Sequence, residues 1–188
     1  MYLRMYKPGD LPALFALDRV CFDPPFRFSR SAMRKFAEAP NALVQLACKD
    51  IVDSEPEDLL GFVILHLENT GTQLVGYVVT LDVAPACRRQ GIAEALMGSL
   101  EVTCLRAGAG ALSLHVFHQN TGAVRLYERL GFVYEQMAGD FYGPGLDALI
   151  YHKPLSRNQG HPAEGQSARG EFGEDEETSP GTSRSEAS

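Results

Sequence analysis

Leu81-Asp82-Val83-Ala84-Pro85-Ala86-Cys87-Arg88-Arg89-Gln90-Gly91-Ile92-Ala93-Glu94 is the stretch on which the fold turns. It leaves a β-branched run, passes through a proline turn, and opens a long segment with no bulky side chain at Gly91 or Ala93. A strand feeding a helix in this way leaves several helix-initial N–H groups without an intrahelical partner. Together with the helix dipole they favour an anion such as a pyrophosphate. Gly91 permits close approach, and Arg88 and Arg89 add positive charge at the same mouth. The same residues also read as an ordinary helix start with two solvated arginines, and a short glycine motif alone does not separate the two.

Working outward, strands and helices alternate. Met1–Tyr6 is a short strand. Asp10 is expected to cap a helix with Leu11, Leu14, Phe15 and Leu17 on a helical period, with Pro12 in its first turn. Asp23-Pro24-Pro25-Phe26-Arg27-Phe28 breaks that helix, and Ser29 caps a second one ending near Pro40. Strands at about 42–49, 59–68 and 73–83 follow as an antiparallel meander, the first two joined by the acidic turn 54–58. Beyond the quoted stretch come a helix to about Arg106 closed by Gly108 and Gly110, a strand Ala111–Phe117, and a helix capped by Asn120 and ended by Gly131. Strands at about 132–138 and 146–153 complete one domain over residues 1–155. The expected class is mixed α/β: a central sheet of about six or seven strands with helices on both faces.

The remaining 33 residues, from Ser156, are rich in Gly, Ser, Pro and Glu, with Phe172 the only large apolar side chain. Such a segment buries too little surface to offset its ordering entropy, so 156–188 is expected to be a disordered acidic tail. It holds seven acidic residues against three arginines and so carries more than half of the net charge of −7. The domain is therefore only mildly acidic and has no broad basic face for a nucleic acid. Cys21, Cys48, Cys87 and Cys104 form no C-x-x-C pair and no metal-ligand spacing, so no metal is expected. They read as free thiols of a reducing, cytoplasmic compartment. No run is long enough to span a bilayer, so no membrane partner is expected.

His115 lies in Leu112-Ser113-Leu114-His115-Val116-Phe117, where alternation turns it away from the face of Leu112, Leu114 and Val116. Alternation alone leaves open whether it is a structural side chain or a base poised for neutral pH. Tyr77 alternates with Val79 and Leu81, so a core position is also open to it.

Arg88-x-x-Gly91-x-Ala93 resembles the Q/R-x-x-G-x-G/A signature of the GNAT acetyltransferase superfamily. A second element, Asn120-Thr121-Gly122-Ala123-Val124-Arg125-Leu126-Tyr127-Glu128-Arg129-Leu130-Gly131-Phe132, is similar to that family's N-x-x-A-x-x-x-Y-x-x-x-G-F. Both lie on the expected elements, and the resemblance covers residues 1–155. Within the superfamily the chain looks most like protein N-terminal acetyltransferases, including the bacterial type that acts on a ribosomal protein. The resemblance implies acetyl-CoA as donor and no metal. The backbone of Leu81, Asp82 and Val83 would pair with the pantetheine arm. The N–H groups of Arg89, Gln90, Gly91, Ile92, Ala93 and Glu94 would hold the pyrophosphate, and Asn120 would bond the cofactor near its thioester. It also implies His115 as base with Tyr77 beside it, and Tyr127 as general acid toward the departing thiolate.

The segment 22–28 with Phe26, and Asp140-Phe141-Tyr142-Gly143-Pro144-Gly145-Leu146-Asp147-Ala148 with Tyr142, resemble the loops that line the acceptor groove. The acceptor implied is a protein or peptide N-terminus, possibly ribosomal, with the enzyme a monomer or weak dimer. An N-terminal amine, with pKa about 8, is already partly neutral near pH 7, whereas lysine at about 10.4 is not. A small-molecule amine as acceptor, or a non-catalytic acyl-CoA-binding subunit, stays open at this level.

Overall fold

The computed structural model describes residues 1–49 and 58–156. Most of the acidic turn at 54–58 and all but the first residue of the expected tail lie outside the described residues. Strand β1 (Tyr2–Met5) leads to helices α1 (Leu11–Cys21) and α2 (Arg30–Ala37). Strands β2 (Ala42–Cys48), β3 (Leu59–Asn69) and β4 (Leu74–Val83) follow. Helix α3 (Ile92–Ala107), strand β5 (Ala111–Phe117), helix α4 (Thr121–Arg129) and strands β6 (Val133–Ala138) and β7 (Ala148–Pro154) complete the order. The sequence of elements is the expected β-αα-βββ-α-β-α-ββ.

Local chemistry sets most boundaries. The Ser29 hydroxyl accepts the Ala32 N–H at 3.1 Å and starts α2, while the Asn120 side chain accepts the Ala123 N–H at 3.2 Å and starts α4. Helix α2 stops at Ala37, short of the expected Pro40. Asp10 departs further from expectation. It sits at the N-cap of α1 without a side-chain capping bond. Its carboxylate accepts instead from both Arg4 guanidinium nitrogens, at 2.7 and 2.8 Å, and from the Lys7 N–H at 2.7 Å. A charge-assisted fork outcompetes a neutral cap for the same oxygens.

All seven strands join one sheet in the order β1-β2-β3-β4-β5-β7-β6. Every pairing is antiparallel except β4–β5, which is parallel because α3 carries the chain back between them. One core cluster packs α3 and α4 onto one face through Val63, Leu65, Leu96, Leu100, Leu112 and Leu114. A second packs α1 and α2 onto the other through Leu14, Met33, Val44, Leu46, Phe62 and Ile64. Helices thus cover both faces, as the strand patterns required. On the α3 face the contact at Gly76 is close: a Cβ there would stand 2.6 Å from Leu112 Cδ2 and 3.0 Å from Cys104 Sγ. Among the described residues no helix is long and apolar enough to cross a membrane.

The feature that makes room for a ligand is a seam in this sheet. Strands β4 and β5 pair only through Val75–Val78 with Ala111–Leu114. A bulge just beyond lets Leu65 oppose Val78 and Ile64 oppose Thr80, so Val79 has no opposite residue. Bulges bend and twist the strand that carries them. Past this point β4 turns away, and Leu81–Val83 pair with Val63, Phe62 and Gly61 of β3 but with no residue of β5.

Candidate active site

Leu81, Asp82 and Val83 form the open edge of β4 along this seam, an edge of the kind that an extended ligand can extend as an added strand. The seam runs toward the start of α3. There Arg89 at φ +61° and Gly91 at φ +80° adopt left-handed conformations close together. Such local reversals gather backbone N–H groups into an anion-binding concavity, reinforced by the dipole of a 16-residue helix. A Cβ added at Gly91 would meet nothing within 4 Å. Glycine there serves the left-handed turn and leaves open space above it, which is the room an anion needs. Ile92 is buried as the first core residue of α3, and Ala93 is half-buried behind it.

The side chains around this cradle hold it in shape. The sequence suggests Arg88 as charge for the ligand, but its guanidinium folds back, donating from Nε to the Val83 carbonyl at 3.2 Å and from Nη2 to the Cys21 carbonyl at 3.4 Å. It ties the end of β4 to the end of α1. Gln90 Nε2 donates to the Ala86 carbonyl at 3.3 Å across the turn. Glu94 accepts from Arg129 at 2.6 Å, which holds its carboxyl below the usual range and joins α3 to α4. Arg89 is exposed at the mouth. Asn120 spends its side-chain oxygen on the α4 cap, so the NH2 end of its carboxamide is what remains for a ligand.

On the opposite face of the sheet, Ser113, His115 and Phe117 alternate away from the α3 core. The Tyr77 hydroxyl lies 3.2 Å from His115 Nδ1. The bulge decides this meeting. Leu81 packs with the α3 cluster, whereas Tyr77, on the near side of the bulge, reaches the imidazole. The uninterrupted alternation that the sequence suggested for Tyr77, Val79 and Leu81 is therefore broken. Burial lowers the His115 pKa, keeping the imidazole neutral, and burial raises that of the Tyr77 phenol.

Two loops close over this face. The turn Pro24–Phe26 carries Phe26, whose ring meets Phe117 at 4.8 Å and Tyr142 at 5.3 Å between centroids. The Tyr142 hydroxyl donates to the His115 carbonyl at 3.1 Å. Phe141 stacks on the His115 ring, with centroids 4.0 Å apart and planes 12° from parallel. The hairpin bearing both is braced by Asp140 N–H on Asp147 Oδ1 at 2.9 Å and by Gly145 N–H on Asp140 Oδ1 at 2.6 Å. Tyr127 projects from α4 into the core, only 8% exposed, with its ring edge on Phe132 at 5.6 Å. Burial, then the fields of Tyr142 and Asp82, push its phenol well above the ordinary value, so it stays protonated.

His115, Tyr77, Phe26 and Tyr142 are thus brought together around the end of β5, and Leu81–Val83 and Arg89–Glu94 follow one continuous seam. Phe117 and Phe141 also belong to the first group. Alternation along β5 was sufficient to place Phe117, but nothing local announced that Phe141 would lie flat on the histidine. Among the described residues no three His, Cys, Asp or Glu side chains gather at metal-binding distance.

A mixed sheet split beside a glycine-turned helix start, with an imidazole across the split, makes a seam suited to an extended, phosphate-bearing ligand. Residues 11–132 match the family described as Acetyltransferase (GNAT) family, and the chain belongs to it. The chain is 32% identical over 101 residues to the N-terminal acetyltransferase B complex catalytic subunit NAA20 of Arabidopsis thaliana, covering 53% of this chain and 58% of that one. It is 29% identical over 160 residues to the naa20 catalytic subunit of Schizosaccharomyces pombe, covering 82% and 86%. The match thus spans under two thirds of the plant relative and most of the yeast one. Among solved structures, Arabidopsis thaliana NAA60 in complex with acetyl-CoA superposes with a TM-score of 0.72 at 23% identity, covering 82% of this chain and 98% of that one.

Proposed function

We propose that this protein transfers the acetyl group of acetyl-CoA to the α-amine of a protein N-terminus. The observation that carries this reading is the His115–Tyr77 pair at the mouth of the β4–β5 seam, roofed by the Phe26 turn and the Phe141–Tyr142 hairpin. The open backbone of Leu81–Val83 and the left-handed turn at Arg89 and Gly91 suit the pantetheine and pyrophosphate of acetyl-CoA. Once bound, that molecule supplies an activated thioester carbonyl.

The chain's own residues do the rest. An extended acceptor enters between the two aromatic loops and brings its amine to the imidazole. With the Nδ1 proton donated to the Tyr77 oxygen, Nε2 of His115 is left as a proton acceptor. Burial keeps this ring neutral, so it is ready to take the proton. A base of this modest strength suits an α-amine, which is partly neutral already. Tyr127 keeps its proton under all ordinary conditions and gives it to the departing sulfur, whose thiolate is also destabilised in a dry site. The Phe26, Phe117 and Tyr142 rings exclude water from the reacting amine.

Acceptors in this reading are protein N-termini, ribosomal proteins among them. Cysteines scattered singly along the chain, with no C-x-x-C pair, suit a reducing compartment such as the cytosol, where such acceptors are made. The test incubates the full chain with isotope-labelled acetyl-CoA and a diverse panel of peptides, each with a free or a blocked α-amine and one internal lysine. Label should enter only free α-amines. Transfer to lysine alone, to small amines alone, or to nothing would overturn the reading.

A further inference from the structure

Phe141 is 46% exposed, yet its ring lies in a close, nearly parallel stack on His115, with centroids 4.0 Å apart and planes 12° from parallel. Neutral aromatic pairs avoid full face-to-face contact and settle with centroids about 4.5–7 Å apart, because two like-signed ring faces repel. The neighbouring pairs keep to that rule. Tyr77 meets His115 edge-on at 5.7 Å and 66°, and Phe141 meets Tyr142 at 4.9 Å and 87°. A ring face at the shorter distance attracts most strongly a partner that carries positive charge.

The hairpin that bears Phe141 imposes the stack. Tyr142, the next residue, donates its hydroxyl to the His115 carbonyl at 3.1 Å, so two adjacent side chains grip His115 by backbone and by ring. Asp140, just before, sits at φ +53°, in the left-handed region. It is held there by its N–H on Asp147 Oδ1 and by the Gly145 N–H on its own carboxylate. The Gly143 N–H on the Asp140 carbonyl and the Tyr142 N–H on the Leu146 carbonyl, both at 3.1 Å, close the loop around Phe141.

We propose that Phe141 is a positioning residue: its ring is a shelf that fixes the plane of the His115 imidazole and stabilises the imidazolium formed when Nε2 takes the acceptor's proton. The imidazole gains one proton and one positive charge in that step, and gives the proton to solvent afterwards. Burial opposes the charge, since it lowers the His115 pKa. Among the described residues no carboxylate contacts the ring to offset this. From β4 the Tyr77 phenol faces Nδ1, and burial keeps it protonated. From the hairpin, burial raises Tyr142 in the same way, and Asp140 and Asp147 each spend an oxygen on a hairpin N–H. From β5, His118 sets its Nδ1 against the Asp147 carbonyl at 3.2 Å, and on β7 the residue opposite His115 is Ile150. The π face of Phe141 is what remains to receive the charge.

Phe141→Leu tests this, since leucine keeps an apolar cover of similar bulk without a π face, and Phe141→Tyr restores the face. The first arm uses the full-length protein without substrate and follows the His115 ring by NMR titration, its signal assigned by its loss in His115→Gln. The His115 pKa should fall by about half a unit in F141L and keep its wild-type value in F141Y. The second arm rests on the N-terminal acetylation reading and uses the peptide panel. Turnover of F141L should drop by roughly two- to fivefold with acetyl-CoA affinity unchanged, and F141Y should recover it. A weaker base stays neutral to lower pH. The wild-type kcat/KM divided by that of F141L should therefore itself fall by about two- to threefold between roughly pH 8 and pH 5. The ratio cancels the titration of the acceptor amine, and a merely structural loss leaves it level. Equal His115 pKa values in wild type and F141L, or a level ratio, overturn the shelf, as does an F141Y that behaves like F141L. A shifted pKa in a protein that acetylates no peptide would sink the functional reading and leave the shelf standing.

Discussion

Tyr127 and His115 occupy environments that push them in useful directions. The imidazole is held neutral by partial burial, and the phenol is held protonated by nearly complete burial. Replacing Tyr127 by Phe removes one hydroxyl from a ring whose packing on Phe132 needs only the ring itself. Turnover should fall by roughly 10²–10⁴ with acetyl-CoA affinity unchanged, as removal of a general acid does. Steady-state rates beside calorimetric titration check both halves, and wild-type turnover would exclude the phenol from the reaction. At this scale the sequence was informative about identities and poor about neighbours. Alternation placed His115 on the face away from the α3 core. It could not show that Phe141 would cover the imidazole, because that contact joins β5 to a hairpin far along the chain. Nor could it show that Arg88 would turn from the ligand mouth toward the Val83 and Cys21 carbonyls.

Among the elements, α3 carries the most. Its start combines a left-handed glycine with a left-handed arginine, and the second is a strained conformation for a residue with a side chain. Gly91→Val would add a β-branched side chain at φ +80° and fill the open space above the turn. It should weaken acetyl-CoA binding by at least about tenfold and lower stability by about 1–2 kcal/mol. Calorimetry and chemical unfolding read the two effects; unaltered affinity would place the pyrophosphate elsewhere. Element limits were legible wherever the deciding chemistry is local, as at Ser29, Asn120 and Gly108, each next to the turn it makes. Side-chain partners were misread where another element intervenes. Asp10 gave up its expected cap for Arg4 of β1. The bulge at Val79 left no mark in a run of Val, Val and Thr, since it depends on how β3 registers against β4.

For the molecule as a whole, the sheet is two antiparallel groups joined by one short parallel pairing, and the proposed donor lies where that pairing ends. A ligand bridging the β4 edge and the α3 start binds the folded state only. At about a hundred times its Kd it should therefore add about 2.7 kcal/mol of stability. In a domain of this size that raises Tm by several degrees, by roughly 2–4 °C per kcal/mol. Thermal unfolding of the wild type and of Gly91→Val, with and without acetyl-CoA, checks it. The shift should be large in the first and small in the second; equal shifts would mean the ligand does not use this seam.

That parallel pairing also has a consequence for how the chain acquires its shape. Strands β2, β3 and β4 meet as successive hairpin neighbours, as do β6 and β7, whereas β1 reaches β2 and β5 reaches β7 only across intervening elements. Val75 meets Ala111 across the whole length of α3, a long closure rewarded by four residue pairs. It is the one strand pairing among the described residues that joins the two halves of the sheet. The groove is born at that union, so a chain halted one step short of native would hold most of its hydrogen bonds and still be unable to grip its donor.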